Sequence, residues 1–257
     1  MRPSAAGSLW LSLACTVASS ASAATTLLGS YPLNDSPYAV MYPMTMAYDS
    51  GRSELWIGGQ GHSGKDATLI LDALSRKPVA QLSVPHGYPL TFDSARGRIY
   101  MPTRGTLRAL DTAARAVVAE AAISPFGYVQ GVAVDPASGD VYVLQFDYTW
   151  NGTSYGYPRW LHRFAADGLV LRSSRTLGSD SFGGEPVAHG GRLYLPAIRI
   201  STGPSAGSIV YSGEIRVLDG TSLATLQTVH LGTSSWPSGM VLDQDSQTFY
   251  ASDLYGG

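Results

Sequence analysis

A short unit recurs five times along this chain: apolar-x-apolar-x-Asp, a polar Gly/Ser turn, then an apolar-aromatic-apolar triplet. The copies are MTMAYDSGRSELWIG from Met44, PLTFDSARGRIYM from Pro89, GVAVDPASGDVYV from Gly131, EPVAHGGRLYL from Glu185 and GMVLDQDSQTFYA from Gly239. In four copies the aromatic follows the Asp by seven residues: Asp49 to Trp56, Asp93 to Tyr100, Asp135 to Tyr142 and Asp243 to Tyr250. In the other copy His189 takes the Asp position, the turn is shorter, and Tyr194 follows after five. Period-two alternation before the turn marks one strand, and the triplet after it marks a second. The Asp opens the turn because its carboxylate accepts hydrogen bonds from the turn's backbone N–H groups. Strand-like units repeating every ~40–50 residues build a propeller or a related array.

A second half-unit reads strand, Leu-Asp or its equivalent, turn, strand. Examples are TLILDALSRKPVAQLSV from Thr68, TLRALDTAARAVVAEAAI from Thr106 and EIRVLDGTSLATLQTVHL from Glu214, with LHRFAADGLVLRSSRTL from Leu161 a looser copy. Two half-units make a four-stranded antiparallel blade, its strands A to D from the inside outward. Thr112 to Ala122 is Ala-rich and suits a helix by propensity. Its alignment with the other copies places it in strands, since sheet context overrides a weak preference. The second Asp leads the next first Asp by 21 residues (Asp72 to Asp93) or 24 (Asp111 to Asp135, Asp219 to Asp243). Counting 24 back from Asp49 reaches Thr25. Thr25 to Pro32 is therefore expected to supply a D strand that closes the ring and removes an open edge. After Tyr250 seven residues remain, short of the next Leu-Asp strand. The expected fold is all-β: a propeller of about five four-stranded blades with the last incomplete. A fragment of a larger propeller is the favoured account of that incompleteness, and a three-stranded closing blade the other.

Charged residues make up only 14% of the chain, beside 29 Gly and 15 Pro, which suits a turn-rich all-β protein. A net charge of -2 gives no reason to expect nucleic acid or an anionic membrane as partner. Arg2, the apolar stretch Leu9 to Val17 and Ala21-Ser22-Ala23 have the pattern of a secretory signal peptide over residues 1–23. That leaves residues 24–257 as the propeller domain and a secreted or periplasmic destination. No later stretch is long and apolar enough for a membrane span. The only cysteine, Cys15, lies in the leader, so the remainder has no disulfide framework and no thiolate site.

The five units resemble those of YVTN-type bacterial β-propeller repeat proteins, and more broadly the propellers that include NHL repeats and quinoprotein dehydrogenases. The likeness covers Thr25 to Gly257 and is specific for architecture. The Tyr-Val-Thr-Asn signature is replaced by LWIGG, IYMPT, VYVLQ, LYLPA and FYASD, which keep the aromatic and lose the Asn. The resemblance implies ligands docking on the face shared by the D–A and B–C loops, around the central channel. It also implies a rival function, an enzyme of lactonase, lyase or dehydrogenase type with a metal or quinone at that channel.

Two B–C connections are long: Gln145 to Arg159 and Ala197 to Ser212. The first carries Tyr148, Trp150, Tyr155 and Tyr157, and the D–A connections add His86, Tyr88, Tyr128 and Trp236. Aromatic rings offer flat apolar faces with a polar edge, which suits a small molecule, a glycan or a protein partner. These eight residues are the candidate ligand-binding set, and the loop from Tyr148 to Tyr157 is expected to project over the channel mouth. No catalytic set stands out. GQGHSGKD from Gly59 is one residue from a phosphate-binding loop, but a strand pattern follows where that loop needs a helix. GTSYG from Gly152 matches a nucleophile elbow and leads into Tyr-Pro, again without a helix. No cofactor is expected. The one divalent-metal arrangement worth weighing is His62 and His86 with Glu185 or Asp253.

Overall fold

The computed structural model of the chain describes residues 40–257 except 62–65, 85–88, 104, 125–126, 148, 151–154, 157, 179–180, 183, 203–207, 244–245 and 254–257. The leader and the expected D strand from Thr25 to Pro32 lie outside the described residues. The described residues contain no helix. Sheet one is β1 (Val40–Asp49), β2 (Glu54–Gly61), β3 (Asp66–Asp72) and β4 (Pro78–Leu82). Sheet two is β5 (Thr91–Asp93), β6 (Arg98–Thr103), β7 (Thr106–Asp111) and β8 (Ala116–Ala122). Sheet three has β9 (Gly127–Asp135) and β10 (Asp140–Asp147). Beyond the small hairpin β11 (Thr149–Trp150) and β12 (Tyr155–Gly156) it continues with β13 (Arg159–Ala165) and β14 (Val170–Gly178). Sheet four has two inner pieces, β15 (Ser181–Phe182) and β16 (Val187–His189). These are followed by β17 (Arg192–Thr202), β18 (Ile209–Asp219) and β19 (Thr225–Thr233). Sheet five is the pair β20 (Pro237–Asp243) and β21 (Thr248–Asp253). Neighbouring strands are antiparallel throughout, in chain order from A to D. The fold is therefore an incomplete β-propeller, and the Ala-rich stretch ends as strand β8.

The repeat has one register. Trp56, Tyr100, Tyr142, Tyr194 and Tyr250 each pair with the residue two before the turn Asp or His: Ala47, Thr91, Ala133, Val187 and Val241. The first four aromatics point at the following sheet. Trp56 packs with Leu90 and Ile99, Tyr100 with Val132 and Val141, and Tyr142 with Ala188 and Leu193. Tyr194 meets Phe249 with ring centroids 4.2 Å apart. Burying one such ring contributes roughly 4–6 kcal/mol in area terms. The B strands are buried on both faces, as consecutive apolar residues demand when a sheet lies between two others.

The turns behave as their chemistry requires. Asp49, Asp93 and Asp135 are buried, and an oxygen of each accepts a turn N–H: Arg52 at 3.1 Å, Ala95 at 3.0 Å and Ala137 at 3.1 Å. In the short turn after His189, Gly190 and Gly191 both have positive φ, 59° and 72°, as a two-residue hairpin turn needs. His189 itself meets Gln247 of sheet five at 2.8 Å.

This turn-bearing face is stitched from sheet to sheet. Arg115 donates to Glu54 at 2.8 Å, Arg98 to the Ala166 carbonyl at 3.0 Å, and the Tyr142 hydroxyl to the Gly220 carbonyl at 3.0 Å. The Gly191 N–H donates to Asp135 at 3.0 Å. Polar groups here are committed to holding blades together, which leaves the opposite face for other work.

Candidate functional site

Two prolines decide the shape of the opposite face. Pro102 and Pro196 each stand two residues after the B-strand aromatic. A proline has no N–H to give a ladder. In those two sheets the A strand has only three residues beside the aromatic, β5 and β16. Where Gly58 or Leu144 holds the same position, the A strands β1 and β9 run for 10 and 9 residues. In sheet four the break is explicit: Phe182 pairs with Ala197 and Val187 with Tyr194. Gly184, Glu185 and Pro186 thus fall in an interval that stands opposite only Leu195 and Pro196. Glu185 lies in that surplus segment.

The segment is held by close packing on both sides. A Cβ on Gly131 would come within 2.1 Å of Pro186 Cδ and 3.0 Å of Glu185 Cα. A Cβ on Gly184 would come within 2.5 Å of the Ser238 carbonyl oxygen. Glycine at both positions lets the Glu185 backbone lie directly between the A strands of sheets three and five.

Two cavities meet at this residue. One, of about 360 Å³, is the central channel, lined by A-strand residues of all five sheets, among them Ala47, Phe92, Val132, Val187 and Val241. The other, of about 460 Å³, opens where the A strands begin, between Tyr128, Gln130, Phe146, Glu185, Ser238 and Met240. Glu185 and Met240 line both. The Tyr128 and Phe146 rings stack at 5.6 Å with 22° between planes, and the Arg159 guanidinium lies 5.7 Å from the Phe146 centroid. Burial alone pushes the Glu185 carboxyl above its ordinary value of 4.5.

Of the eight residues read from the sequence, Tyr128 lines the outer cavity. Trp236 packs against Tyr211 at 5.4 Å, donates its backbone N–H to the Asp253 carboxylate at 2.7 Å, and lines neither cavity. The backbones of Trp150 and Tyr155 are register partners in the β11–β12 hairpin. His86, Tyr88, Tyr148 and Tyr157 lie outside the described residues, as does His62 of the metal arrangement. Asp253 is engaged by Trp236, and no three His, Cys, Asp or Glu among the described residues are grouped to hold a metal. The two long connections are strand in part. The β17–β18 ladder runs on to Thr202 opposite Ile209, and the β10 side continues into a hairpin. The described elements that follow GQGHSGKD and GTSYG are the strands β3 and β13, not helices. Glu185 entered the sequence reading only as a metal ligand. The proline two places after the aromatic was its signal.

The class this architecture defines is the β-propeller of stacked four-stranded antiparallel blades. Solved structures agree. A chain of Kuenenia stuttgartiensis hydrazine synthase superposes with a TM-score of 0.63 at 12% identity, over 81% of this chain and 61% of that one. Quinohemoprotein alcohol dehydrogenase from Comamonas testosteroni gives 0.51 at 9% identity, over 84% and 40%. The chain thus spans less than two thirds of either relative, and likeness at these identities shows the fold alone. No protein-family model and no curated protein matches the sequence.

Proposed function

We propose that the chain is an exported β-propeller that binds a ligand or a protein partner on the face where its A strands begin. One observation carries the reading: an aromatic-lined cleft of about 460 Å³ there, with Tyr128 60% exposed and stacked on Phe146. Concave sites of this size with few polar groups suit recognition. The described lining of this cleft would offer a metal the Glu185 carboxylate alone, and an anionic quinone would find the Arg159 guanidinium beside Phe146. Export rests on the basic, apolar and small-residue order of the first 23 residues.

The test is to probe the purified full-length protein on arrays of soluble glycans, peptides and small molecules, beside Tyr128→Ala. The expected result is a ligand whose binding the substitution weakens about tenfold or more. Turnover of a sugar, lactone or alcohol substrate with a stoichiometric metal or quinone would overturn the binding-module reading.

A further inference from the structure

The cleft combines two features that point to one ligand class. Among the described residues its lining has a single ionisable carboxyl, Glu185, and no lysine, arginine or histidine, with the Arg159 guanidinium behind Phe146. Its other wall is the Tyr128–Phe146 stack, with Met240 beside it. A carboxylate removed from water gains most from a cation brought to it. Aromatic faces attract the same charge through their quadrupole; the Arg159 guanidinium already lies against Phe146, which leaves the exposed Tyr128 ring to a ligand.

The position of Glu185 is built. Gly131 and Gly184 admit its backbone between two sheets, and the break beside Pro196 frees it from the ladder. Glu185 therefore stands at the junction of cleft and channel on a backbone held between two sheets.

We infer that the cleft takes an organic ammonium ion, its charged head on Glu185 and its carbon frame on the Tyr128–Phe146 pair. This rests on the reading of the same face as a binding site. Nothing covalent is required: the carboxylate accepts hydrogen bonds from the ammonium N–H groups, and the ligand leaves unchanged.

Three probes of similar shape test it by calorimetric titration of the full-length protein: phenethylammonium, neutral 3-phenylpropan-1-ol and anionic 3-phenylpropionate. The cation is expected to bind best and the anion least. Glu185→Gln, which keeps the shape and removes the charge, is expected to weaken the cation by about ten- to a hundredfold. The alcohol should be left within about twofold, since it makes no charged contact. Unchanged circular dichroism of the variant confirms its fold. Equal binding of cation and alcohol, an unaffected cation in Glu185→Gln, or no binding of the cation at millimolar concentration overturns the inference. Failure of the wider reading looks different. A glycan or peptide lost in Tyr128→Ala but indifferent to Glu185→Gln removes the ammonium and keeps the face. Ligands indifferent to both substitutions remove the face itself.

Discussion

Glu185 is a carboxyl whose surroundings oppose its ionisation, and that has a sign that can be measured. A carboxyl whose pKa rises on folding binds its proton more tightly in the native state. The native state is favoured while the proton is on, and the advantage is lost as pH rises from the ordinary value of 4.5 through the raised one. At neutral pH the ionised group therefore costs stability, and Glu185→Gln is expected to raise the melting temperature there. The gain should shrink as pH falls through the raised value and be gone below 4.5, which thermal scans over a pH series would show. A gain that stays constant with pH would mean the carboxyl is not desolvated. Tyr142 is the opposite kind of residue. Burial pushes its phenol well above the ordinary range, with the Asp140 charge adding to it. Its hydroxyl stays protonated and donates to Gly220 of the next sheet. Tyr142→Phe orphans that carbonyl and should cost about 1–3 kcal/mol in denaturant unfolding. The tyrosine was plain in the sequence because it repeats. Glu185 was not, because nothing repeats around it.

At the scale of elements, the strands and turns were legible and the face was less so. Alternation recurs in every copy, and the turn Asp and the seven-residue spacing to the aromatic in four of the five, so together they located the A and B strands. The IYMPT and LYLPA variants carried their prolines openly. Their consequence, a shortened A strand and an inward surplus segment, depends on which neighbour loses a ladder bond. The second long connection was masked in another way. Its alternating Ile198, Ile200 and Thr202 are strand-like, but the Gly/Ser run after them reads as loop, so the ladder to Thr202 was missed. The clamp at Gly131 makes the element-level test. Gly131→Ala places a methyl against Pro186 Cδ, and overpacking of this kind costs about 1–3 kcal/mol. It should lower stability and also weaken any ligand that depends on Glu185. Unchanged stability would show that the segment between sheets three and five is free to yield.

At the scale of the molecule, the series of B-strand aromatics measures where stacking stops. Trp56, Tyr100, Tyr142 and Tyr194 are buried by the sheet that follows each, while Tyr250 is 57% exposed and its partner Val241 60%. On the far side of sheet one, Met44, Met46 and Tyr48 are also exposed. Both ends of the stack therefore present apolar sheet faces whose equivalents elsewhere are interfaces. Contiguous exposed apolar surface favours association. Sedimentation of the 257-residue chain is expected to show mass rising with concentration. The double substitution Val241→Thr and Tyr250→Ser should reduce that rise while changing unfolding free energy by no more than about 0.5 kcal/mol, as for exposed positions. The equivalent truncation Tyr194→Ser removes a ring packed on Phe249 and should cost about 3–5 kcal/mol. The gap between the two costs is the quantity to read. If Tyr250→Ser proves as expensive as Tyr194→Ser, the fifth sheet is covered in solution, and the stack does not end where its aromatics say it does.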